Sequence, residues 1–248
     1  MLLSRVLASG VVFPLYIYPG DNCAGWTAVS SVIASHPTMP FYVIVNPDSG
    51  PGGVANSQPD ANYQACIPTL RPAANPNVHV LGYVATGFGT RASSAVEADV
   101  LTYAGWGAAY RPTGIFFDET LGGTSALLTL YTSYATYARN QISGAFVTLN
   151  PGTSIDSSYY SISDQIISYE NTYASFSTSD LVISSSSPAS KQAVILHTAP
   201  TTLPTSTITT LVHTEAVAAL FITPVSLADN PYGSVPSYWS AFVTAVGS

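Results

Sequence analysis

The chain has 248 residues, of which 47% are hydrophobic. That is long enough to bury the core of one large domain or two small ones, and the composition is neither fibrous nor disordered. Only 8% of the residues are charged, against roughly 25% in an average soluble domain. With six basic residues and a formal net charge of −7, there is no positive patch to neutralise phosphates, which excludes nucleic acid and anionic membrane as partners. No apolar run approaches the ~20 residues that a membrane-spanning helix requires.

Along the chain, Met1–Ser9 reads as an N-terminal lead-in, too short by itself for a secretory signal peptide. The first apolar run, Val11–Tyr18, ends in Pro19-Gly20, and the second, Phe41–Val45, ends in Asn46-Pro47. A long segment dense in turn formers, Asn46–Asn62, follows it; Gly50-Pro51-Gly52-Gly53 within it reads as a turn, since no lysine follows to make a phosphate loop. Val78–Val84 is the third run, and Val96, Val100 and Tyr103 behind it fall on one helical face. Gly114–Asp118 comes next, then a helix carrying Leu127, Leu130, Tyr131, Tyr134 and Ala138. Ala145–Leu149 stops at Asn150-Pro151-Gly152, and Ile166–Glu170 leads into Ser177–Lys191, whose Ser184–Ser187 stretch reads as a flexible linker. Val194–Thr198 and Ala218–Thr223 complete the runs, and Trp239, Phe242, Val243 and Val246 mark a closing helix.

Most of these eight runs are apolar on both faces, as parallel strands covered on both sides are. They begin roughly thirty residues apart, the length of a strand plus its crossover. The fold predicted is α/β, a (β/α)8 TIM barrel forming one domain over residues 1–248. An open doubly wound sheet is the alternative, but its G-x-G-x-x-G fingerprint is absent.

Cys23 and Cys66 are the two cysteines. Two buried cytosolic thiols would fit the count, but the low lysine content favours an extracellular chain with one disulfide. The bond would tie the first βα loop to the helix after the second strand.

Of four glutamates, Glu119 closes the fourth run beside Asp118, and Glu170 closes the sixth. A carboxylate directly after an apolar strand is costly to bury unless paired or hydrogen-bonded. In a barrel those two strand ends open on one mouth, with one strand between them, so the carboxyls would approach to ~5–9 Å, the range glycoside hydrolysis uses. Along a regular strand Asp118 and Glu119 point to opposite sides, and the pattern does not say which side is inward. A helix N-terminal acid, or a salt bridge to Arg111 or Arg139, is the structural alternative for the doublet. Glu97 and Glu215 read as solvated. The histidines show no ligand pair, and no metal or cofactor is expected. The absence of G-x-S-x-G argues against a serine esterase. Tyr16, Tyr18, Tyr83, Tyr169 and Tyr173 crowd the strand ends, where rings stack on sugar faces and hydroxyls hydrogen-bond.

The chain resembles the spherulin-4-like family, barrel glycoside hydrolases of fungi, slime moulds and bacteria. The residues that carry the resemblance are Val11-Val12-Phe13-Pro14-Leu15-Tyr16-Ile17-Tyr18-Pro19, Asn46-Pro47-Asp48-Ser49-Gly50-Pro51-Gly52, Gly82-Tyr83-Val84, Gly114-Ile115-Phe116-Phe117-Asp118-Glu119, Asn150-Pro151-Gly152 and Tyr169-Glu170-Asn171. The resemblance implies a secreted protein that cleaves within an amino-sugar exopolysaccharide of the galactosaminogalactan type; a monomer, secreted or associated with the cell wall, is expected. By matching motif its acids are Asp118, Glu119 and Glu170. Asp118 is expected as the nucleophile and Glu170 as the acid and base, with Glu119 orienting one of them or holding a substrate hydroxyl; the roles of Asp118 and Glu119 are exchangeable. Tyr16, Tyr18, Asn46, Tyr83, Asn150, Tyr169, Asn171 and His197 form the expected substrate-binding set. A non-catalytic carbohydrate-binding protein of the cell wall, or a hydrolase of another polysaccharide or bond, is the competing expectation.

Overall fold

The computed structural model describes residues 9–248. Most of the expected lead-in, residues 1–8, lies outside the described residues. Its last residue, Ser9, already belongs to the barrel, because its Oγ donates to the Val217 carbonyl at 2.7 Å.

Eight parallel strands close in sequence order, each paired with the next and the eighth with the first. They are β1 Gly10–Leu15, β2 Phe41–Val45, β3 Val78–Ala85, β4 Gly114–Asp118, β5 Phe146–Leu149, β6 Gln165–Thr172, β7 Gln192–His197 and β8 Ala219–Ile222. All eight predicted runs are therefore strands of a TIM barrel. β1 stops short of Tyr18 because the chain turns at Tyr16, whose N–H folds back onto the Pro14 carbonyl at 3.1 Å.

The helices are α1 Thr27–Ser35, α2 Ala61–Cys66, α3 Ser93–Ala104, α4 Ser125–Gln141, α5 Thr205–Thr209 and α6 Trp239–Val246. Asp60 caps α2 by accepting from the N–H groups of Asn62 and Tyr63, and Thr124 caps α4 through Leu127. The crossings β5–β6 and β6–β7 contain no α-helix, only short 3-10 turns. Their serine-rich stretches lack a repeating apolar face and favour local turns over helix. The predicted linker Ser184–Ser187 is instead a closed turn. Ser184 and Ser187 exchange backbone hydrogen bonds, and Gln192 Nε2 donates to the carbonyls of Val182 and Ser187 at 2.9 Å each.

Strand alternation sorts the barrel into two layers. Gly82 and Phe117 face outward: a Cβ on Gly82 would stand 2.7 Å from the Tyr103 ring of α3, and Phe117 stacks on Tyr134 of α4. Only glycine permits that approach of helix to strand. Tyr42, His79 and Phe146, on three different strands, meet inside the barrel with His79 and Phe146 ring centroids 4.5 Å apart. Register then places Phe116 and Thr148 on the inward side.

Cys23 and Cys66 are bonded, and the link joins the turn after β1 to the end of α2 as expected. Closing a loop of this length contributes about 4 kcal/mol on a chain-entropy account. The basic side chains hold loops. Lys191 Nζ donates to the carbonyls of Tyr160 and Ser163, Arg71 to those of Ala109 and Arg111, and Arg91 and Arg139 pair with Asp99 and Asp164. No helix among the described residues is long and apolar enough to cross a membrane.

Candidate active site

Asp118 shares the inward face of Phe116 and ends β4 at the mouth. Neither predicted arginine reaches the doublet: Arg111 donates to the Ala104 carbonyl and Arg139 to Asp164. Continued alternation would send Glu119 outward, but its backbone is left-handed (φ 55°), a conformation uncommon for a residue with a side chain. The turn brings its carboxylate along the rim, where Oε2 accepts from the Gly87 N–H at 3.0 Å. Thr86 locks this corner by donating Oγ1 to the carbonyls of Asp118 and Glu119, both at 2.8 Å.

Glu170 reaches the mouth through a defect in the ladder. Gln165 pairs with inward Thr148, so strict alternation would turn Tyr169 inward and Glu170 outward. The β6–β7 register slips between Ile167 and Tyr169, leaving Ser168 unpaired. One extra residue inverts the phase of everything beyond it. Glu170 then faces the axis, while Tyr169 packs on Phe176 and shares a hydrogen bond with Ser175.

Asn150, on the inward face just beyond β5, joins the two acids. Its Nδ2 donates to Asp118 Oδ1 at 2.7 Å and to Glu170 Oε2 at 2.6 Å, while its Oδ1 accepts from the Gly152 N–H at 3.0 Å. Two bonds on one nitrogen hold the two accepting carboxylate oxygens within about 5 Å of each other. Glu170 Oε1 accepts a short hydrogen bond from the Tyr232 hydroxyl. Tyr16 stands between two tyrosines, edge-on to Tyr83 at 5.6 Å and to Tyr232 at 5.4 Å, and Tyr83 lies against Asp118.

Burial sets the electrostatics. The Asp118 carboxyl is pushed above its ordinary range by desolvation, against which the Tyr83 hydroxyl, the Glu119 N–H and Asn150 stabilise the anion. Glu170 is raised by desolvation and then by the Asp118 charge, opposed by Tyr232 and Asn150. Tyr16 is driven up by burial and by both carboxylates, and Tyr232 by burial and Glu170, so both phenols stay protonated donors. His197 is lowered by burial and is neutral at neutral pH.

A cleft of about 350 Å³ opens over these groups, and Asp118, Glu119, Asn150, Glu170, Asn171, His197 and Tyr232 are among the residues lining it. Of the expected binding set, Asn150, Asn171 and His197 line the cleft, and Tyr16 and Tyr83 lie beneath it. Three others lie elsewhere. Tyr18 packs on Tyr63 and accepts from Asn62, Asn46 uses Oδ1 to accept from the Gly50 N–H, and Tyr169 faces its own loop. Tyr173, also read from the strand ends, hydrogen-bonds Thr207. Tyr232 and Phe88 escaped the sequence reading. Each sits in a loop that only the closed barrel brings to the mouth, and the one local sign was the turn signal Asn230-Pro231-Tyr232-Gly233.

The sequence pattern of the family Spherulin4, spherulation-specific family 4, matches residues 10–246. Spherulin-4 of Physarum polycephalum is 31% identical over 244 residues, covering 95% of this chain and 69% of that one. Sph3 of Aspergillus clavatus, solved in complex with GalNAc, is 32% identical and superposes with a TM-score of 0.82 over 97% of this chain and 98% of its own. A beta-1,4-mannanase from the sea hare Aplysia kurodai shares the fold, at 9% identity with a TM-score of 0.51 over 92% of this chain and 90% of that one.

Proposed function

The chain belongs to the spherulation-specific family 4, and on that premise we propose that it is a secreted, endo-acting glycoside hydrolase. Its substrate is an exopolysaccharide containing α-1,4-linked N-acetylgalactosamine, and it uses two carboxyl groups with retention of configuration. The observation that carries the reading is the pair Asp118 and Glu170, held by one amide at the separation of a nucleophile and an acid. The likeness to a protein crystallised with GalNAc supports the sugar class. A disulfide fits an oxidising, extracellular setting.

The charges favour one assignment of roles. Burial raises both carboxyls, and Glu170 is raised further by the Asp118 charge. The first proton to leave the pair therefore comes from Asp118, and Glu170 keeps the second. Asp118 attacks the anomeric carbon as the bond to the leaving sugar breaks, and the Glu170 proton passes to the leaving oxygen. The Glu170 carboxylate then takes a proton from water, whose oxygen attacks the same carbon and releases Asp118. Glu119, which lines the cleft beside them, holds a substrate hydroxyl in this scheme.

Incubation with N-acetylgalactosamine-containing exopolysaccharide should release new reducing ends and a ladder of oligosaccharide masses. Binding without new reducing ends would make the chain a lectin-like protein instead, and acetate release would make it an esterase. Asn150→Ala should lower kcat by about ten- to a hundredfold, the worth of hydrogen bonds to charged groups. It should also move the acid limb of the pH profile upward, because the pair would lose the donor that its anions share. A pH–rate profile unchanged from wild type would remove Asn150 from the mechanism.

A further inference from the structure

The left-handed segment Gly87-Phe88-Gly89 is not explained by the chemistry of the acids. All three residues have positive φ, at 57°, 54° and 79°. For a bulky residue such as Phe88 this conformation is a true outlier, costly unless its surroundings impose it. Here they do: Glu119 holds the Gly87 N–H, and a Cβ on Gly89 would stand 2.6 Å from Leu127 of α4. The segment carries the Phe88 ring out of the fold, leaving the residue 54% exposed at the rim.

Phe88 stands between two cavities. It lines the acid cleft on one side and, on the other, a groove of about 730 Å³, twice the volume of the cleft. Pro151 is shared in the same way, so the two spaces adjoin. Leu121 and Val182, exposed by 47% and 57%, form apolar walls of the groove. Its polar lining is mostly hydroxyl, including Ser184 and Ser186 of the closed serine turn, with Asp156 its one charged residue. Apolar faces alternating with neutral hydroxyls suit a saccharide, whose rings have one apolar side and a polar rim. On the opposite side of the mouth, the cavity under Tyr18 shares no lining residue with the cleft.

We propose that this groove binds further units of the saccharide chain on one side of the cleaved bond, with Phe88 as the stacking platform at the junction. The inference rests on the hydrolase reading for the chemistry of its ligand. It also assigns a role to the serine turn and to the β6–β7 loop that carries it.

The test uses N-acetylgalactosamine oligosaccharides of graded length, with hydrolysis measured on the active enzyme and affinity on the Glu170→Gln variant. Wild type should prefer chains long enough to enter the groove. Phe88→Ala should cut the ratio of long-chain to short-chain kcat/KM by about two- to tenfold, the worth of one aromatic contact. Val182→Arg, which crowds the facing wall, should cut it similarly, and melting curves would confirm that both variants are folded. Hydrolysis with that ratio unchanged in both variants overturns the groove and leaves the hydrolase reading standing. Length-dependent binding that Phe88→Ala weakens, without hydrolysis, supports the groove and overturns the hydrolase. Neither binding nor hydrolysis at any length overturns both.

Discussion

Glu170→Gln should lower kcat on an N-acetylgalactosamine polymer by about two to four orders of magnitude, the usual contribution of a general acid and base. The amide preserves the local contacts in principle: its oxygen accepts from Asn150 and its nitrogen donates to Tyr232, where the carboxylate now accepts from both. The loss should therefore appear in turnover and not in folding. In kcat/KM, which reports the first step alone, the loss should be smaller for substrates with an acidic leaving group such as a nitrophenol, which departs without protonation. Near-wild-type turnover of the polymer would exclude Glu170 as the proton donor.

Asp118→Asn should abolish turnover on every substrate, whatever the leaving group, because no acidity in the leaving sugar replaces a missing nucleophile. Stability should respond differently. The folded state holds the Asp118 proton more tightly than the unfolded chain does, since burial raises this carboxyl above its ordinary range. The group's favourable contribution is complete below the unfolded pKa and is lost as pH rises through the folded one. At neutral pH the ionised, buried Asp118 destabilises the fold, so Asp118→Asn should melt at or above the wild-type temperature. The difference should close once both states are protonated at acid pH. A variant that melts lower at neutral pH would show that the hydrogen bonds to Asp118 outweigh its burial. Together the two variants separate the roles, because only the Glu170 variant keeps the first step, read as kcat/KM, on the good leaving group.

Asp118 and Glu119 show how far local pattern carries. Both were visible at the end of a strand, but Phe116 and Phe117 are equally apolar neighbours, and nothing in the run says which faces the axis. Packing answers it: Phe117 meets Tyr134 of α4, which leaves Phe116 and Asp118 for the interior. With Asp118 inward, strict alternation would send Glu119 outward, and the left-handed backbone at Glu119 redirects it along the rim. Glu170 is the stronger case. Its place in the mouth depends on the unpaired Ser168, and a bulge of one residue is a property of two strands in register rather than of either alone. Tyr232 lies 62 positions beyond its partner, so no window of sequence could join them.

The sequence by itself determined that eight strands follow one another in parallel, that they close into a barrel, and that three acids stand at the ends of the fourth and sixth. Those features are written in runs of neighbouring residues, where apolar periodicity and turn formers act over a few positions. Which acids converge, what holds them and how far the binding surface extends was decided only by the tertiary structure. The facing of each side chain depends on register and crossing loops, and these are settled by contacts between segments far apart in the chain.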